Sequence, residues 1–178
     1  RGQMITSTSN AQVKRLLQLQ KKSKARNEEK VFLVEGLRMF VEVPEERVQK
    51  VYISESFYNK KKQELDLSKF SVEILSDTVF QYVSDTKTPQ GILCIVEQKK
   101  YDIDEILKIE KPHFIVLDNL QDPGNLGTIV RTAEGAGVNA VFLSKESVDI
   151  YNPKTIRSTM GSIYRMPVIY VEDLLKLL

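Results

Sequence analysis

His113-Phe-Ile-Val-Leu-Asp118-Asn-Leu-Gln-Asp-Pro-Gly-Asn125-Leu-Gly-Thr-Ile-Val-Arg131-Thr-Ala-Glu-Gly-Ala-Gly137 is the stretch on which the fold is decided. It opens with an unbroken apolar run at 113–118, the pattern of a parallel strand buried on both faces. A loop at 119–124 then feeds a helix expected over about 125–136, with Gly137 in the position favoured for a C-cap. On that helix Leu126, Ile129, Val130, Ala133 and Gly137 recur at the spacing of a buried face. Thr128, Arg131 and Thr132 therefore point the other way. Asn125 falls at the helix N-terminus beside the carboxyl end of the strand, where open α/β sheets bind ligands. Pro123, Gly124 and Gly127 keep bulk out of this corner, so that a backbone can approach closely. Read without any relative, Asn125 also fits a plain N-cap and Arg131 a solvated helix position.

Working outward, Ala140-Val-Phe-Leu143 supplies the next strand and completes a βαβ unit with a right-handed crossover. Asn152-Pro153 starts another helix, with Ile156, Met160, Ile163 and Tyr164 on its inner face. Residues 167–171 form a third strand, and a helix is expected from 172 to 178. Its Leu174, Leu175, Leu177 and Leu178 leave an apolar face that something should cover. Upstream, residues 98–111 are polar, allow a short helix at Ile103–Leu107 and read as a linker, so the chain divides into 4–97, the linker, and 112–178.

The first part alternates helices and strands and reads as a small α/β layer structure. Ser7 to Asn10 offer caps for a helix with Val13, Leu16, Leu17 and Gln20 inward. Strands follow at 31–34, 48–53, 70–75 and 92–96, with helices at 37–43, 55–64 and after a capping Asp77. Arg1, Gly2 and Gln3 precede Met4 and are set aside from fold reasoning.

The 178 residues are 42% hydrophobic and 28% charged, an ordinary globular composition. Net charge is only +2, yet eight Lys and Arg lie in residues 1–30 against Glu28 and Glu29. That leaves 18 of the 26 basic residues and 22 of the 24 acidic ones to the rest of the chain. Such asymmetry points to a basic arm that meets a polyanion, with a solvated lysine-rich helix face as the plain alternative. No apolar stretch approaches the roughly 20 residues of a membrane span, and no signal segment leads the chain. A cytoplasmic protein is expected. One cysteine and one histidine make a zinc site improbable, and no metal is expected. Cys94 lies in an apolar strand and reads as core. Gly-x-Gly-x-x-Gly and Gly-Lys-Ser/Thr are both absent, which argues against dinucleotide and P-loop enzymes.

Four ordered segments carry a resemblance. Residues 119–137 resemble the first motif of the SpoU/TrmH family of RNA 2′-O-ribose methyltransferases: Asn125, the Gly two residues on, Arg131 six residues on, then Ala and Gly. Thr155-Ile-Arg-Ser-Thr-Met-Gly-Ser162-Ile-Tyr-Arg-Met-Pro167 is similar to the Ser-x-Gly-Ala…Pro stretch that follows in the family, with Ser162 in the alanine place. Phe32-Leu-Val-Glu-Gly-Leu-Arg38 and Thr88-Pro-Gln-Gly-Ile92 resemble the substrate-binding domain attached to many members, whose fold is like that of an RNA-binding ribosomal protein.

The resemblance implies methyl transfer from S-adenosylmethionine to a ribose 2′-hydroxyl of structured RNA, ribosomal RNA before transfer RNA, by a protein that forms a homodimer. It implies Arg131 and Asn125 as catalytic residues. Arg131 would stabilise a ribose alkoxide, hold the adjacent phosphate, or act as base. It implies Lys14, Arg15, Lys21, Lys22, Lys24, Arg26 and Arg38 as RNA-binding residues. The family builds its cofactor pocket and trefoil knot with a Gly-x-Glu-x-x-Gly loop and a Ser-Leu-Asn segment, and neither occurs in these 178 residues. The cofactor-binding residues are therefore expected beyond Leu178, the methyltransferase domain to be incomplete, and this chain alone to be inactive. The alternative is a non-catalytic RNA-binding module.

Overall fold

The chain packs as two units, one running to Gln98 and the other starting at Lys99. The structure, a computed structural model, describes residues 3–177. Arg1, Gly2 and the expected helix end at Leu178 lie outside them.

In the first unit, Asn10 accepts a hydrogen bond from the Gln12 amide and opens helix α1, Ala11–Lys21. Val13, Leu16, Leu19 and Gln20 are its buried residues. Leu19 thus takes the inward place expected of Leu17, because the next inward position after Leu16 falls three residues on. Helix α2, Ser23–Glu29, follows directly and ends on Lys30 in the left-handed conformation. Strand β1, Val31–Glu35, leads through Gly36 into the short helix α3, Leu37–Val41. Then come β2, Val48–Ser54; α4, Glu55–Lys61; β3, Val72–Leu75; α5, Asp77–Val83; and β4, Ile92–Glu97. Ser76, not Asp77, caps α5, its side chain accepting from the Val79 amide, while Asp77 accepts from the Ser56 amide.

These strands form one sheet in the order β1-β4-β2-β3, in which β4 runs antiparallel to both neighbours and β2 and β3 are parallel. Val13, Leu16 and Leu19 of α1 join Leu33, Tyr52, Leu93, Ile95 and Phe80 in its core. Cys94 is fully buried, and burial alone pushes its thiol up, as expected of a core residue.

The stretch expected as a linker is part of the second unit. Helix α6, Ile103–Leu107, is capped by Asp102 and buries Ile106 with Ala140 and Phe142, with Tyr101 and Ile103 packed alongside. The helix lies where the sequence allowed one, but its few apolar residues do not show which unit it packs into, and so the charged flanks read as a linker. Strand β5, Phe114–Leu117, is followed by α7, Pro123–Gly135; β6, Ala140–Ser144; α8, Pro153–Thr159; and β7, Val168–Val171.

The three strands form a parallel sheet in the order β5-β6-β7. Burial on both faces therefore belongs to the central strand β6, all five of whose residues are buried, and not to β5, where Val116 is 44% exposed. Ile163 and Tyr164 are buried, but on a 3-10 turn, Ser162–Tyr164, because α8 stops where Met160 turns left-handed. The expected final α-helix is a 3-10 turn, Leu174–Leu177, whose Leu174 and Leu177 pack against the Phe142 cluster while Leu175 is exposed.

Candidate functional site

Asp122 decides where α7 begins. Its carboxylate accepts a hydrogen bond from the Asn125 amide at 2.7 Å, so the helix starts at Pro123, two residues before the expected position. Proline at the first helical position suits this start. Asn125 consequently lies within the first turn and is not the cap, which leaves its exposed side chain available. Thr128 donates back to the Gly124 carbonyl at 3.0 Å and is exposed. Arg131 and Thr132 are exposed as well. Six residues separate Asn125 from Arg131, which places them roughly 9 Å apart along the axis and about 120° apart around it. Thr128 lies between them, and Thr132 returns nearly to the azimuth of Asn125. The four make one polar stripe.

The opposite face of α7 buries Leu126, Gly127, Val130 and Ala133. Gly127 is where a backbone comes close, and it is that of α8: a Cβ on Gly127 would lie 2.5 Å from the Thr155 carbonyl oxygen and 2.3 Å from the Ser158 Cβ. Ile129 is only half-buried and Gly137 is exposed, at φ +75°.

Farther along α7, Glu134 accepts hydrogen bonds from the Arg165 Nε at 2.5 Å, the Arg165 Nη2 at 2.9 Å and the Ser162 hydroxyl at 3.1 Å. The Arg165 bond, chiefly, holds the Glu134 carboxyl below the usual glutamate range. Ser162, standing in the family's alanine place, is thus used inside the fold.

Between β5 and α7 the chain is fastened by side chains that carry no signal in the sequence. The Asn119 amide donates to the Ser144 hydroxyl at 2.7 Å and the Leu120 amide to the Ser147 hydroxyl at 3.1 Å. Gln121 donates to the Glu146 carbonyl at 2.9 Å. Serines at a strand end and in a turn have no periodicity, so only the three-dimensional arrangement identifies them.

The expected RNA-binding cations separate into three groups. Lys14, Lys21, Lys22 and Lys24 are exposed, Lys14 and Lys21 falling on one stripe of α1, seven residues apart. Arg38 is exposed on α3. Arg15 is held by Glu29, its Nε and Nη2 donating to one carboxylate oxygen at 2.9 and 2.6 Å. Arg26 is the correction: it is 3% exposed, and its Nη1 donates to the Leu19 and Gln20 carbonyls at 2.9 and 3.2 Å. Those carbonyls belong to the last turn of α1, where helix oxygens lack partners, and a guanidinium supplies donors there. A basic run in sequence does not distinguish that use from a surface one.

The N-terminal motif residues also come together. The Glu35 carboxylate accepts from the Ser84 hydroxyl and from the Asp85 amide at 3.2 Å, and Gln90 Oε1 accepts from the Leu37 amide at 2.6 Å. Gly91, at φ +120°, lies where a Cβ would meet the Ser54 hydroxyl and Phe57. The Phe32–Arg38 and Thr88–Ile92 segments thus meet at one end of the sheet. Among the described residues no cluster of His, Cys, Asp and Glu could hold a metal, and no helix is long and apolar enough to cross a membrane.

Residues 112–178 match the SpoU rRNA Methylase family, and residues 10–94 match the MRM3-like substrate binding domain. The 23S rRNA (guanosine(2553)-2'-O)-methyltransferase RlmP of Bacillus subtilis is 32% identical over 178 residues, 96% of this chain and 68% of that protein. Human mitochondrial rRNA methyltransferase 3 is 44% identical over 90 residues, 48% of this chain and 21% of that protein. The AdoMet-bound rRNA methyltransferase from Sinorhizobium meliloti matches with a TM-score of 0.80 at 28% identity, over 98% of this chain and 67% of that one. The SpoU methyltransferase AviRb from Streptomyces viridochromogenes, in complex with AdoMet, shares the fold with a TM-score of 0.80 at 21% identity. The chain therefore spans about two thirds of these bacterial relatives and about a fifth of the human one. With both halves matched in order and a relative 32% identical over 96% of this chain, the chain belongs to the SpoU rRNA methylase family.

Proposed function

We propose that the protein carrying this chain transfers a methyl group from S-adenosylmethionine to a ribose 2′-hydroxyl of structured ribosomal RNA in the cytoplasm. The observation that carries this reading is the polar stripe on α7. Asn125, Thr128, Arg131 and Thr132 stand exposed on the helix that leaves the carboxyl end of β5, with their backs fixed by Gly127 against α8. A 2′-hydroxyl is a poor nucleophile until it begins to lose its proton. A fixed cationic donor that gains strength as negative charge develops lowers that barrier. Arg131 fills this role or holds the neighbouring phosphate, with Asn125 orienting the ribose from the first turn. Acting as a base is the third role, and it would require a dry setting that the cofactor pocket and bound RNA would have to supply around Arg131.

S-adenosylmethionine supplies an electrophilic methyl group when bound. On this reading the described residues of the second unit would not complete its pocket, a reading supported by β5, which is paired on one side only and leaves Val116 exposed. The Gly-x-Glu-x-x-Gly and Ser-Leu-Asn segments are absent from the sequence as well. These 178 residues alone are therefore expected to bind the cofactor weakly. Homodimerisation of the complete protein is part of the same proposal.

The first unit would hold the RNA. Lys14, Lys21, Lys22 and Lys24 reach phosphates, Arg38 approaches from α3, and shape with unpaired bases supplies the choice of site. In the complete protein, Arg131→Ala is expected to slow single-turnover methyl transfer by about 10² or more while cofactor affinity changes little. Arg131→Lys restores little of it, lacking the planar fork. Full speed in Arg131→Ala contradicts the assignment. RNA binding by the wild type with no methyl transfer makes the protein a binding module.

A further inference from the structure

We infer that Ser144 and Ser147 are positioning residues for this methyl transfer: their paired hydroxyls set the loop at 119–121 from which α7 and Arg131 depart. The inference rests on the proposed activity. Both serines are buried, at 6% and 9% exposure, and their hydroxyl oxygens lie 3.0 Å apart. Each accepts one backbone amide from the loop, Asn119 to Ser144 and Leu120 to Ser147. One hydroxyl donates to the other, which joins the two amides and the two side chains in one chain of hydrogen bonds and leaves the second hydroxyl proton to be donated elsewhere.

These bonds, not strain, define the path of the loop. Asn119 is left-handed, at φ 55°, a conformation that Asn adopts more readily than other non-glycine residues, so the turn is open to this residue and the two serines hold it in place. Gln121 ties the same turn from outside, donating to the Asn119 Oδ1 at 2.6 Å and to the Glu146 carbonyl at 2.9 Å. The Val148 amide closes it by donating to the Leu120 carbonyl at 2.8 Å. Asp122, the cap of α7, comes next in the chain. The direction in which the loop leaves β5 therefore fixes where the first turn of α7, with Asn125, lies over the sheet.

The fold does not depend on this pair in the same way. The β5–β6 ladder and the α7–α8 packing at Gly127 are made elsewhere. Loss of a hydroxyl should free the loop and shift the first turn of α7 while leaving the unit folded. A displacement of that kind acts on the reaction rate more than on binding.

The test uses the complete protein and the variants Ser144→Ala, Ser147→Ala, their combination, and Ser147→Thr. The expected result is a fall in kcat of about 10-fold or more for each alanine variant. KM for RNA should stay within about 2-fold. The double variant should be no worse than the poorer single one, because the hydroxyls act as a unit. Ser147→Thr, which keeps the hydroxyl, should recover most of the rate. Amide exchange should speed up at Asn119 and Leu120 and stay slow in β6. Alanine variants with wild-type kcat overturn the inference. So does a loss shared between KM and kcat with exchange raised throughout the unit, which marks a merely structural role. Absence of methyl transfer in the wild type overturns the activity instead, and unchanged exchange at Asn119 and Leu120 in the variants then still refutes the fastening.

Discussion

Gly127 and Gly135 stand on the same helix, and a methyl group has opposite consequences at each. At Gly135 nothing lies within 4 Å of a built Cβ. Gly135→Ala removes backbone freedom from the unfolded chain and should stabilise by about 0.5–1 kcal/mol. At Gly127 the same propensity gain of about 1 kcal/mol is set against approaches of 2.3–2.5 Å to α8, part of them to backbone that cannot swing away. Overpacking of this kind costs about 1–3 kcal/mol, so Gly127→Ala should be destabilising on balance. Urea midpoints of the two variants check both signs, and a more stable Gly127→Ala would mean that α8 moves aside freely. The glycine itself marks a close approach in the sequence, but nothing local says that the approaching backbone belongs to α8. For the helix start the sequence pointed to Asn125, since Asx residues cap well. Asp122 won because a proline and a glycine follow it and a carboxylate suits the positive end of the helix.

At the scale of elements, α1 and α2 carry cations in two different settings, exposed lysines and the buried Arg26. Lys21→Glu with Lys22→Glu reverses charge at exposed positions. It should weaken RNA binding and reduce the log–log salt slope by roughly 0.7 to 0.9 for each phosphate no longer neutralised, with little change in stability. Arg26→Ala should do the reverse. It strips donors from buried carbonyls of α1 and is expected to cost about 1–3 kcal/mol, with the salt slope intact. Salt titrations of RNA binding together with thermal melts separate the two, and a shallower slope in Arg26→Ala would return that residue to the RNA face. Composition and charge placed all of these residues in one basic arm, because burial of an arginine by helix-end carbonyls leaves no mark in a local pattern. The same limit governed β5. An apolar run identifies a strand, but whether it is central or an edge depends on neighbours that are distant in sequence.

For the molecule as a whole, the order of elements was readable because strands and helices alternate with distinct periods in both units. The parallel β5-β6-β7 sheet follows from apolar strands joined by helices that cross over. The ownership of residues 99–111 was not readable, since one buried residue, Ile106, with two half-buried neighbours, decides it. Nor were Ser144 and Ser147, whose role is defined wholly by hydrogen bonds across the loop. What the two units are for comes down to where a methyl group ends up. The complete protein, given S-adenosylmethionine with a labelled methyl group and ribosomal RNA, should place the label on a ribose 2′-oxygen. A methylated 2′-oxygen cannot attack the neighbouring phosphate, so after alkaline hydrolysis the label should remain in alkali-resistant dinucleotides. Label released in mononucleotides would place the methyl group on a base and contradict the account, as would RNA that is bound but never labelled.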